Sequence, residues 1–152
     1  MKIESHLDKF HRLDDARQRL DPVQDCELWI WTCMNAGVHL LNAALHRIGA
    51  TEATDSFHTQ VEGLYVRPDR ISGQLIDAVH PPGDVMHFGQ PPIAAPLPDE
   101  VRQAGAALRV IEDMREPYVR GDATPSREAI AAAEAAYRDC VRLLGSVLAT
   151  AL

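Results

Sequence analysis

Apolar side chains near the start of the chain recur every third or fourth position, at Ile3, Leu7, Phe10, Leu13, Ala16 and Leu20, with Asp and Arg between them. That spacing lines one face of an α-helix, and Pro22 ends it, so the pattern predicts an amphipathic surface helix. From residue 23 to 48 the run is far more apolar, and Gly49 follows it, a residue suited to the left-handed position after a helix. A third helical pattern opens at "PLPDE", where Pro98, Asp99 and Glu100 suit a first turn, and carries Val101, Ala104, Leu108, Ile111 and Met114 as far as Pro117. A fourth follows "GDATPSRE", with Thr124 as the expected cap and Pro125 at the first helical position, and runs through "EAIAAAEAAYRDCVRLLGSVLATAL".

Between residues 49 and 97 the pattern changes. This stretch holds most of the prolines and three of the seven histidines. So long a segment without structure is uncommon in a compact domain, and a short helix is expected over 51–60. A short strand pair is then expected within "GLYVRPDRISGQLID", turning at "RPDR" or "SG". From "HPPGDVMHFGQPPIAAPLP" onward the prolines favour an extended path over the surface. The expected fold is all-α: one domain over 1–152, a four-helix up-and-down bundle with an irregular insertion of about 49–97 between the second and third helices.

The second helix carries the feature that most needs explaining. In "NAGVHLLNAALH", Asn35, His39, Asn42 and His46 follow at steps of four, three and four. At about 100° per residue they fall within an arc of about 60°, one line along the helix. Leu28 and Thr32 extend that line toward the helix start. Cys33, Gly37, Leu40, Ala44 and Ile48 occupy the opposite side, and Trp31, Met34, Val38, Leu41 and Leu45 fill one flank. Almost everything off the line is apolar, so this helix is expected at the centre of the bundle. An ordinary solvated face uses Lys, Glu and Arg, as the first helix does. This line uses only amides and imidazoles, which cost less to bury provided they find partners. The line can still be the ordinary solvent face of this amphipathic helix, but its lack of charge shifts the expectation toward a pocket, walled by Trp31, or a subunit interface, with the insertion expected to cover it.

Composition narrows the classes. The chain has 152 residues, 46% hydrophobic and 24% charged, with a formal net charge of −7. One domain of this size buries a core without disulfide or metal staples. The acidic balance and the interleaving of Arg with carboxylates leave no basic stripe for nucleic acid. "MKIESHLDKF" is charged throughout, and no apolar run approaches membrane-spanning length, so neither a membrane nor a secretory route is expected and the default location is cytoplasmic. Cys26 and Cys33, seven positions apart on one helix, are separated by about 10 Å of rise, beyond the Cα spacing of about 7 Å that a disulfide spans. All three cysteines are expected as small buried apolar groups.

Candidate chemistry is sparse. His39 and His46 stand two turns apart, a poor metal pair on their own. A metal site would need the insertion, where His58 sits in "SFHTQ" and His80, Asp84 and His87 in "HPPGDVMH". There is no CxxC, HExxH or ExxH pattern. No cofactor is expected, and a divalent metal at His39, His46, His80 and His87 is the alternative. Ser56, Ser72, Cys33 and Cys140 lack the context of an activated nucleophile, and there is no phosphate loop. His6 and His11 are assigned to the exposed side of the first helix. The Arg–His pair that HEPN nucleases, also helical bundles, place a few residues apart is absent, since "EPYVRGD" follows Arg115 and Arg70 precedes His80 by ten. No family is assigned. The leading expectation is a noncatalytic small-molecule-binding or interaction module, itself a homodimer, using Asn35, His39, Asn42, His46 and Trp31 with His58, His80, Asp84 and His87 as loop contributors. The rivals are a histidine-based or metal-assisted hydrolase, sited between the second helix and the 80–87 loop, and a structural assembly subunit.

Overall fold

A computed structural model of the chain describes residues 1–51, 64–68, 75–79 and 96–150. Its elements follow the expected order: α1 (Ile3–Arg17), α2 (Cys26–Arg47), β1 (Leu64–Pro68), β2 (Leu75–Val79), α3 (Asp99–Glu112), a π-helical turn (Glu116–Arg120) and α4 (Arg127–Thr150). The protein is all-α in class, with one small strand pair. β1 and β2 are antiparallel, registered from Leu64 opposite Val79 to Pro68 opposite Leu75. Arg67 and Pro68 belong to β1, so the connection lies within residues 69–74. Residues 52–60, where a short helix was expected, lie outside the described residues.

The helix ends explain where the pattern misplaces boundaries. α2 begins at Cys26 rather than at residue 23, because Asp21 binds the chain into a turn first: its Oδ1 accepts the N–H groups of Val23 and Gln24, each at 2.9 Å. Such side-chain capping satisfies donors that no helical carbonyl reaches. At the other end Gly49 takes φ +72, the left-handed conformation expected of it. The start of α4 differs from expectation. Its cap is Ser126, whose Oγ accepts the N–H of Ala129 at 3.1 Å, and Thr124 and Pro125 precede the helix. The serine hydroxyl is the one placed to reach the third helical N–H, the group a cap must satisfy.

α2 is the hub of the bundle. It packs against α1 on one side and against α3 and α4 on the other. Gly37, opposite the polar line, lets α3 approach closely: a Cβ at that position would meet Leu108 Cδ2 at 2.2 Å. Leu108 lies beside Gly37, and Tyr118 lies near Leu28, so α3 runs antiparallel to α2. α4 starts near the same end as α2, where Pro125 and Cys26 line one cleft, and runs with it. α1 runs antiparallel, its His6 beside His39. The four helices thus alternate in direction. Trp29, Ile30, Cys33, Leu45, Val101, Leu108, Ile111, Cys140 and Leu144 form the fully buried core. Cys26, Cys33 and Cys140 are all free and buried, filling space as small apolar groups. Among the described residues no helix is long and apolar enough to cross a membrane.

Candidate functional site

The polar line of α2 divides into two parts. Toward the helix start, its groups are satisfied by the helix itself. The Thr32 hydroxyl donates to the carbonyls of Leu28 and Trp29 at 3.0 and 2.9 Å, and Asn35 Nδ2 donates to the carbonyl of Trp31 at 2.8 Å. A side chain bonded back one turn is absorbed into its own helix. Asn35 and Trp31 are both half-buried, and the bond between them uses the Asn35 amide nitrogen and the Trp31 backbone carbonyl.

The second half is different. Asn42 is buried, and His39 and His46 are half-buried. Over them lies a residue assigned by its sequence to the exposed side of α1: His6 is only 3% exposed. Its ring centre stands 5.2 Å from that of His39 and 5.3 Å from that of His46. Its Nδ1 is 2.9 Å from His39 Nδ1, so one ring carries a proton there and donates it to the other. The expectation for His6 is thus overturned. The signal was available, because His6 precedes Phe10 by four residues, the spacing that sets both on one face of α1, and Phe10 is buried. A histidine read by its polarity goes outside; one read by its position goes inside. His11 is exposed, as expected.

His46 is held from the other side. Its Nδ1 lies 2.7 Å from the Thr51 hydroxyl and 3.3 Å from the Thr51 carbonyl oxygen, across the turn that Gly49 makes. Its Nε2 is buried and has no hydrogen-bond partner among the described residues, and the same is true of Arg47 Nε. Buried polar atoms are nearly always satisfied, so an orphan of this kind calls for an explanation.

The electrostatics keep His6 and His39 uncharged. Burial, together with the neighbouring His39 and His46, lowers the pKa of His6 from 6.5 to about 4. Burial also lowers His39, with Lys9 adding to the effect. Near neutral pH both rings are unprotonated bases with lone pairs to offer. The cysteines are the reverse. Desolvation pushes the Cys140 thiol up to about 12 and raises Cys26 and Cys33 as well, so none is an activated nucleophile.

The remaining sequence candidates, His58, His80, Asp84 and His87, lie outside the described residues, as does the question of whether the insertion covers the line. A surface cleft lies elsewhere among the described residues. It holds about 380 Å³ beside the N-terminal end of α2, between Val23, Leu28, Tyr118 and Pro125. About 30 Å of helix separates that end from His46. The cleft has no cluster of bases, and the chemistry lies with the histidines.

Fold and site together define a helical bundle with a buried imidazole cluster between its first two helices. Compared with known protein families, with curated proteins and with solved structures, the chain matches none.

Proposed function

We propose that the protein is a noncatalytic binding module whose ligand site is formed by His6, His39 and His46 where α1 meets the C-terminal half of α2. The observation that supports this most strongly is the buried, unpartnered Nε2 of His46 beside two neutral imidazoles. An arrangement that served only to pack helices would be cheaper with apolar rings, since burying a polar group costs free energy unless it is bonded. The cluster is favoured over a hydrolase with a thiol nucleophile because burial raises the pKa of Cys33 and Cys140 and holds both protonated. It is favoured over the assembly-subunit reading, in which a partner would cover the polar line, because His6 of the same chain already packs against His39 and His46. Three buried unpaired thiols support a reducing, cytoplasmic setting.

The reading is tested by histidine-selective ¹⁵N NMR during titration with a panel of divalent metal chlorides, nucleotides and organic acids. A ligand should shift the His6, His39 and His46 signals before that of His11, and His39→Ala should remove the response. Hits that all leave the three signals unchanged would dispose of the proposed site.

A further inference from the structure

Resting on that reading of the cluster, we propose that its ligand is a divalent transition-metal ion of the zinc class, bound through His6, His39 and His46. Three features of the geometry point to it.

The first is the contact of two ring nitrogens, His6 Nδ1 and His39 Nδ1, at 2.9 Å. Two nitrogens bound to one tetrahedral zinc, each at about 2.0–2.1 Å, stand about 3.3 Å apart. An ion entering between them needs the pair to open by only about 0.4 Å on that arithmetic. The proton now held between the two Nδ1 atoms leaves for solvent, and the ring that gave it up takes one at Nε2. Each ring stays neutral, and both Nδ1 lone pairs face the ion.

The second feature is the placement of the ring centres. Imidazoles on a tetrahedral zinc put their centres about 5 Å apart. His6 stands at that distance from both partners, 5.2 Å from His39 and 5.3 Å from His46, so its ring is the member shared by two such pairs. The third is the outer contact of His46. When its Nδ1–H donates to Thr51, Nε2 is left as a buried lone pair without a partner. Metal-ligating histidines are commonly oriented in this way, the second nitrogen held by a carbonyl or hydroxyl.

Among the described residues no three His, Cys, Asp or Glu side chains already stand close enough to hold a metal. Binding therefore requires the His46 ring to turn Nε2 toward the point that His6 and His39 define. Lys9 and the N-terminal ammonium bring positive charge near the cluster, which sets a limit on affinity. Three imidazoles favour zinc, copper or nickel over magnesium and calcium, which take oxygen ligands.

The test uses the full chain, stripped with chelator and titrated with Zn²⁺, Co²⁺ and Mg²⁺. The expected result is one Zn²⁺ per chain by calorimetry, a tetrahedral Co²⁺ absorption band and no Mg²⁺ binding. His6→Gln, His39→Gln and His46→Gln should each weaken Zn²⁺ by at least about a hundredfold, and Thr51→Val by about tenfold. His11→Gln should leave it unchanged. Should a variant fail to fold by circular dichroism, histidine ¹⁵N NMR of the unaltered protein decides instead: Zn²⁺ must move the three cluster signals and spare His11. Zinc that binds with the cluster signals unmoved, or no zinc binding at all, overturns the metal proposal. If a nucleotide or organic acid still moves those signals, the binding-module reading stands without the metal; if nothing moves them, both fall.

Discussion

Two polar groupings hold α1 to the bundle, and they differ in how completely their donors and acceptors are used. Near the C-terminal end of α1, Asp14 accepts hydrogen bonds from Tyr137 of α4 at 2.8 Å, from Arg17 at 2.8 Å and from Gln18 at 2.9 Å. Arg17 also lies over the Tyr137 ring, 4.5 Å from its centre. Tyr137 itself is 3% exposed. Every partner is accounted for, and the grouping acts as a tether between the first and last helices. Near the N-terminal end of α1 the imidazole cluster shares one proton between two rings and leaves Nε2 of His46 without a partner. A fully bonded buried network stabilises a fold, whereas a partly bonded one costs free energy and suggests that something else completes it.

That contrast can be broken by mutation. Asp14→Ala should be the most damaging single change, lowering unfolding free energy in urea by about 2–3 kcal/mol, because it strands the Tyr137 hydroxyl and the Arg17 guanidinium together. A neutral response would mean that the tether does not hold the helices.

Acid should affect the two groupings in different windows. His6 titrates at about 4 in the fold and at about 6.5 when unfolded, so the unfolded chain binds the extra proton. Stability contributed by the neutral ring is therefore present above pH 6.5 and lost as pH falls toward 4. The full loss is at most about 3 kcal/mol for a shift of this size. Burial works to raise the Asp14 carboxyl, but hydrogen bonds from Arg17, Tyr137 and Gln18 outweigh it and hold the group below its ordinary 3.8. Its contribution persists above that value and disappears only at lower pH. In chelator-treated protein, urea melts at stepped pH should show both losses, with Asp14→Ala keeping the first and His6→Phe keeping the second.

Tyr137→Phe removes one hydrogen bond and should cost about 1 kcal/mol, with Arg17 and Gln18 still serving Asp14. His6→Phe should have the smallest effect and the opposite sign. An apolar ring of similar shape avoids burying an imidazole, and His39, half-buried, can turn its nitrogen to water. Stability should hold or rise by up to about 1 kcal/mol while ligand response is lost. A loss of stability as large as that of Asp14→Ala would place the cluster with the tether as structure.

The helical pattern alone carries most of the architecture, because the periodic spacing of Val101, Ala104, Leu108 and Ile111, or of Phe10 and Leu13, reports which side of each helix turns inward. It also picks out the line containing His39, Asn42 and His46. Helix boundaries are less legible. Asp21 decides one through two hydrogen bonds and Ser126 another through one, and several neighbouring residues could have served from spacing alone.

What the sequence by itself determined is a set of faces: four amphipathic or apolar helices, a central second helix, a left-handed glycine closing it, and an uncharged polar line along its length. Which groups on those faces meet was decided only by tertiary structure. Asn35 looks equivalent to His39 in spacing, yet the first bonds its own helix and the second bonds His6. His6 and His39 are 33 residues apart, and Asp14 and Tyr137 are 123 apart. Periodicity measures position around one axis; contact between two axes depends on how the helices cross and on small residues such as Gly37 that let them approach.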